Sequence, residues 1–272
     1  MSKIAYLPDR GVVELQGADR VSFLQGLVSN DVTQAAPGVA LWSALLTAQG
    51  KWLADFFILQ DGDRLLLDCE RAQAPLLVKL LSRYRLRAAV TLQDASDSFA
   101  VHAAWGLRPE TTGLIATDPR LPEAGWRILT PTPLDGALDE AAWQTHRLSL
   151  GLPDGSHDMD ERSVLLEAGF DELGGVSWTK GCYMGQELTA RTKYRGLVKR
   201  RLVPVGVAGP MPAPGTPIRR DGQELGVLRF GQNDRAMALL RLEALTTEGR
   251  LTCGDAVLTV LQPSWMNLPA AV

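Results

Sequence analysis

Apolar residues recur along this chain with two periods. Val21, Leu24, Leu27 and Val28 stand three and four apart, as on one face of a helix, and Asp19 just ahead of them is placed to cap it. Before them Val12-Val13-Glu14-Leu15 is a short β run, broken by Gly17-Ala18-Asp19. From Leu41 the period shortens. Residues 41–47 and 52–59 are β-rich runs around Ala48-Gln49-Gly50-Lys51, which predicts a hairpin, and Asp61-Gly62-Asp63 turns the chain into a strand over 64–69. Leu76, Leu77, Leu80, Leu81 and Tyr84 return to helical spacing. Leu86, Ala88, Val90 and Leu92 then alternate, predicting a strand with one face on a core, and 99–105 reads as another. Strands mixed with a packing helix over 41–105 predict an α+β layer.

Beyond this layer the pattern loosens. Residues 107–135 read as loops around 126–129, and a helix over 138–150 is stopped by Gly151-Leu152-Pro153. Residues 151–187 are polar, Gly-rich and weakly periodic, and irregular passages of that length in compact proteins are often functional. From Arg201 the chain becomes short strands (202–207, 226–230, 237–242 and 256–261) separated by Pro- and Gly-rich turns, predicting a small β-barrel or sandwich.

Composition narrows the class. The 272 residues include 28 basic and 31 acidic side chains, a net charge of −3, and 46% are hydrophobic, too many for a disordered chain. The mildly acidic balance argues against a protein that coats nucleic acid. Cys69, Cys182 and Cys253 form neither a disulfide framework nor a CxxC pair, and do not by themselves hold an iron–sulfur cluster. His102, His146 and His157 lack zinc-ligand spacing, so no metal site is expected. Dinucleotide, P-loop and hydrolase-elbow signatures are absent. No apolar run approaches the ~18 residues that span a bilayer, and the N-terminal residues lack a secretory h-region. A reduced, cytoplasmic protein without membrane partners is the expectation.

Three features carry candidate chemistry. Cys182 sits in Trp178-Thr179-Lys180-Gly181-Cys182-Tyr183-Met184-Gly185-Gln186-Glu187, with Arg191, Lys193 and Arg195 following. Either it is a buried structural cysteine, or cationic neighbours favour its reactive thiolate. Arg191, Lys193, Arg195, Lys199, Arg200 and Arg201 fall within eleven residues that contain no acid. Such a run is a solvated face or an anion site, suited to a polyglutamate tail or an RNA backbone. Asp55 interrupts Trp52-Leu53-Ala54-Asp55-Phe56-Phe57-Ile58, either facing outward by alternation or partly buried with a raised pKa. Asp68 and Glu167 also follow apolar residues, and a carboxylate accepting paired N–H donors from a heterocycle would fix its orientation.

The string Lys180-Gly181-Cys182-Tyr183-Met184-Gly185-Gln186-Glu187, continued through Ala190-Arg191-Thr192-Lys193-Tyr194-Arg195-Gly196, resembles the YgfZ-type folate-binding proteins, relatives of the glycine-cleavage T-protein. Gly17-Ala18-Asp19-Arg20, Phe23-Leu24-Gln25-Gly26-Leu27, Asn30-Asp31-Val32 and Leu46-Thr47-Ala48-Gln49-Gly50-Lys51 extend the resemblance over nearly the whole chain. It implies an α+β, three-domain cloverleaf: a discontinuous folate-binding domain (1–40 plus 125–200), an inserted ferredoxin-like domain (41–124) and a C-terminal β-barrel (201–272). It also implies tetrahydrofolate, or a polyglutamylated derivative, as the bound molecule, and iron–sulfur client enzymes or cluster-assembly proteins as partners.

Carried over by position, Asp55 matches the second, catalytic aspartate of a T-protein pair whose first member is Ala54 here. Glu167 matches the glutamate that binds the pterin, and Asp68 falls near a folate-contacting asparagine. Lys180, Tyr183, Arg191 and Arg200 are the remaining candidate folate contacts. Cys182 has no T-protein counterpart and is the candidate for the distinctive chemistry. The resulting expectation is a folate-binding accessory factor for assembly or repair of iron–sulfur clusters. A folate-dependent one-carbon transferase is the alternative, and an RNA-binding module the third.

Overall fold

The computed structural model describes residues 2–247 and 249–268. The first elements are β1 (Lys3–Tyr6), β2 (Arg10–Gln16), α1 (Arg20–Gln25), β3 (Leu41–Leu46), β4 (Trp52–Asp61) and β5 (Arg64–Glu70). Next come α2 (Ala74–Ser82), β6 (Thr91–Asp94), β7 (Ala100–Trp105), β8 (Leu114–Thr117), β9 (Trp126–Thr130), α3 (Glu140–Leu150), α4 (Gly155–Asp158) and α5 (Gln186–Tyr194). The last are β10 (Arg200–Ala208), β11 (Pro217–Arg220), β12 (Gln223–Gln232), β13 (Arg235–Arg241), α6 (Leu242–Thr246), β14 (Leu251–Cys253) and β15 (Ala256–Val260). They form two compact units: Met1–Trp143 with Leu173–Gln186, and Gln144–Glu172 with Glu187–Val272.

The first unit contains two antiparallel sheets. One has the order β3-β4-β5-β2-β6, the other β1-β7-β9-β8. Val13, Leu15, Phe56, Ile58, Leu65 and Leu67 line one face of the five-stranded sheet and pack with Leu24 and Leu27 near α1 and Leu77 and Leu81 of α2. The opposite face is also covered, because Arg120 and Arg127 lie 4.8 and 4.6 Å above the Phe57 ring. β4 is therefore buried on both sides, and Asp55 does not face outward as simple alternation allowed. β2 pairs with β5 and β6, so this sheet crosses the domain boundary expected at residue 40.

Two local expectations fail for identifiable reasons. The strand expected from Leu86 begins only at Thr91, since Leu86 takes a left-handed φ of 42° and Ala88 N–H closes a turn onto the Arg85 carbonyl at 2.7 Å. Asp19 precedes α1, but its carboxylate accepts from Ala89 N–H at 2.8 Å rather than from the helix's first turn. The short strands β1, β8, β11 and β14 were not anticipated either, having too few residues to show a period.

The second unit contains a closed antiparallel barrel in the order β10-β13-β12-β11-β14-β15. Val203, Val205, Leu228, Ala238 and Leu240 are among its buried interior residues. Asp221 and Gly222, at φ 50° and 81°, form the two-residue β11–β12 connection, the backbone that a twisted hairpin requires.

Candidate functional site

In the first unit, the motif around Cys182 is a loop fastened at several points, with the cysteine left outside. Lys180 Nζ donates to the carbonyls of Val28 and Asn30 at 2.6 and 2.7 Å and stands 5.2 Å from the centre of the buried Tyr183 ring. Burial lowers the Lys180 pKa to about 8, and the Asp31 carboxylate opposes this shift. Gly181 has φ 93°, a conformation side chains resist. A Cβ on Gly185 would lie 2.6 Å from the Thr47 carbonyl, so this glycine allows the loop to approach the β3–β4 turn. Upstream, Ser29 Oγ and Asn30 Nδ2 donate to the carbonyls of Gly175 and Gly174 at 2.7 and 2.8 Å. Asn30 of this clamp stood in the Asn30-Asp31-Val32 stretch of the resemblance, whereas Ser29 carried no signal beyond its place after an amphipathic helix.

Cys182 itself is exposed, whereas Cys69 and Cys253 are buried. That corrects the buried structural reading of Cys182. The cations expected to favour its thiolate have other partners: Lys180 holds carbonyls, Arg191 meets Glu187 at 2.9 Å, and Lys193 meets Asp171 at 3.0 Å. Lys180, Tyr183 and Arg191 thus each support local structure in this fold.

Asp55 is buried, and both its oxygens accept indole N–H groups: Trp42 Nε1 at 3.0 Å and Trp52 Nε1 at 3.2 Å. Arg120 stacks 5.5 Å from the Trp42 ring and forks onto Asp118 at 3.0 and 2.7 Å. Asp68 is a different case. Its side chain has no exposure, and its two oxygens accept from Arg10 Nε and Arg127 Nε, both at 2.7 Å. Asp68 is therefore the counter-ion of a buried arginine pair.

In the second unit, Glu167 lies in a short 3-10 turn over Leu165–Ala168, which the left-handed Gly169 ends. The Arg200 guanidinium grips it with Nε and a terminal nitrogen at 3.1 and 3.3 Å. Arg201 is buried and donates to the Leu166 carbonyl at 2.7 Å and to Glu172 at 2.6 Å. Beside this turn is a cleft of about 360 Å³ lined by Leu166, Asp171, Glu172, Lys193, Arg201 and Leu242, among others. The basic run is thus not one open cationic face: Arg191, Lys193, Arg200 and Arg201 each meet a carboxylate. Among the described residues, no group of three or more acidic, Cys or His side chains is arranged to hold a metal ion.

Residues 199–268 match the family model for the C-terminal β-barrel domain of CAF17. The mouse mitochondrial iron–sulfur cluster assembly factor IBA57 is 31% identical over 308 residues, covering 95% of this chain and 84% of that protein. The human mitochondrial protein of that name is 32% identical over 276 residues, covering 88% and 77%. A mitochondrial homologue from Mycosarcoma maydis is 38% identical over 229 residues, covering 75% of this chain but 57% of its own length. Among solved structures, the glycine cleavage system aminomethyltransferase T from Bartonella henselae matches with a TM-score of 0.78 at 15% identity, covering 97% of this chain and 85% of that one. That match establishes the T-protein-like α+β fold with its closed six-stranded barrel. The relatives' names overturn the expected cytoplasmic placement, since they are mitochondrial proteins. An N-terminal composition without a secretory h-region does not distinguish those two compartments. At these identities and coverages, the chain belongs to the IBA57 family of iron–sulfur cluster assembly factors.

Proposed function

We propose that this protein is a tetrahydrofolate-binding accessory factor of the YgfZ type, serving assembly or repair of iron–sulfur clusters in client enzymes, with Cys182 as its reacting thiol. The observation that carries the reading is the construction around Cys182. Lys180, Tyr183 and Gly185 hold the loop, Gly181 supplies its left-handed turn, and the cysteine among them is exposed. The family's role in cluster assembly gives such a thiol a task, because thiolate is a preferred ligand of iron–sulfur clusters.

Glu167 is the residue suited to the pterin. Arg200 takes one acceptor position on each carboxylate oxygen, and each oxygen has another for paired N–H donors of a heterocycle. The adjacent cleft offers Leu166 and Leu242 to an apolar ring, which suits the p-aminobenzoyl group of a folate. In calorimetric titration, tetrahydrofolate should bind the purified protein and bind Glu167→Ala roughly ten-fold or more weakly, as expected for lost charge-assisted hydrogen bonds. Absence of binding to the parent protein removes folate from the reading. Cys182→Ser should fail to restore iron–sulfur enzyme activity in a deletion strain, and full restoration removes the role given to the thiol.

A second reading, a folate-dependent one-carbon transferase, is supported by Asp55, whose two indole donors hold a buried carboxylate in one orientation. Ala54 in place of the first aspartate weighs against it. Tetrahydrofolate-dependent release of methylene-tetrahydrofolate from a methylamine-type substrate would establish this reading, and no turnover across such amines would eliminate it.

A further inference from the structure

Between α2 and β6 the chain exposes Arg83, Tyr84, Arg85, Leu86 and Arg87 in succession. Leu86 is 89% exposed, the highest value among the large apolar residues described, and Tyr84 is 45% exposed. Five of the chain's basic residues (Arg71, Lys79, Arg83, Arg85 and Arg87) fall within 71–93, and none of its 31 acidic residues does. Arg and Tyr are enriched among the side chains that concentrate binding energy at protein interfaces.

The loop is held in shape. Arg83, Tyr84 and Arg85 N–H groups donate back to the carbonyls of Leu80, Leu81 and Ser82 at 3.3, 3.0 and 3.2 Å, and Ala88 N–H closes onto Arg85 at 2.7 Å. Its far end is pinned by Asp19, whose N–H reaches the Ala89 carbonyl and whose carboxylate takes the Ala89 N–H. Leu86 sits at φ 42°, where a branched side chain is strained and glycine is not. A strained, outward-pointing leucine between two arginines is a poor choice for stability and an effective preformed anchor.

We propose that the 83–87 loop is a docking site for a partner protein that presents an acidic surface around an apolar pocket. Tyr84 and Leu86 enter the pocket and the three arginines meet the surrounding carboxylates. A second copy packed loop to loop would set the arginines of one against those of the other, so that arrangement is not the occupant.

Site-specific photocrosslinking tests this, with p-benzoylphenylalanine in place of Leu86, and in place of the exposed Leu107 as a control, in cells that make the protein. The expected result is one acidic protein captured at position 86 and not at 107. Purified, that protein should bind the parent chain with an affinity that falls as salt rises. Leu86→Gly and Arg85→Glu should each weaken binding roughly ten-fold or more, while the melting temperature of Leu86→Gly stays level or rises. The proposal is overturned by no adduct at 86, by capture of a second copy, or by a captured protein that binds both variants like the parent. Equal loss of binding to phosphatidylglycerol vesicles or to single-stranded RNA would overturn it too. Binding is read directly, so these outcomes do not depend on whether folate or Cys182 acts as proposed.

Discussion

The three thiols differ by environment more than by sequence. Burial pushes Cys69 up to about 12 and also raises Cys253, so both remain protonated where Cys182 meets solvent. Iodoacetamide at about pH 8 should therefore label Cys182 well before the other two in native protein, as read by peptide mass spectrometry. Prior labelling of Cys69 would contradict the burial described here. Lys180 gives a test of opposite kind. Its folded pKa of about 8 lies below the unfolded value of 10.5. Below pH 8 both states hold the proton, whereas between 8 and 10.5 only the unfolded chain does, so this group's contribution to stability rises with pH in that window. Urea midpoints across the window should lose that upward slope in Lys180→Met, and identical profiles would rule the effect out. At this scale the glycine-rich setting of Cys182 and the apolar settings of Asp55 and Glu167 were visible in the sequence, because such contrasts are local. It could not show that Asp68 meets Arg10 and Arg127, partners 58 and 59 positions away.

Among the elements, the strands over 41–70 were legible because alternation and turn residues agree there. Residues 86–92 were not: alternation over a few positions looks the same in a strand and in a turn whose arginines all face solvent. The Cys182 loop is an element in its own right, held by close contact instead of periodicity. Gly185→Ala would force a Cβ toward the Thr47 carbonyl and strain a φ of 81°. It should cost ~1–3 kcal/mol in chemical denaturation, with faster proteolysis near 180–187. Unchanged stability would mean that the β3–β4 turn does not brace the loop.

For the whole molecule, the T-protein-like fold was within reach only through family resemblance, since the pairing of β2 with β5 and β6 joins segments far apart in sequence. The barrel was legible as a class, but its closure was not, because β11 and β14 are too short to register. A ligand that binds only the folded state stabilises the chain by mass action. Tetrahydrofolate at about 100 times its dissociation constant should therefore add ~2.7 kcal/mol, seen as a melting shift of a few degrees that Glu167→Ala loses. An equal shift in both proteins would place the ligand away from Glu167.

The pair of indoles on Asp55 has a practical consequence. Both Trp42 and Trp52 point their ring N–H at one carboxylate, so any event that protonates, displaces or recruits that carboxylate alters two fluorophores at once. The protein thus carries an intrinsic dye at the position where the one-carbon reading would have to act. The chain has seven tryptophans, so the part of an emission change with pH or added amine that Asp55→Asn abolishes is the part that reports on Asp55.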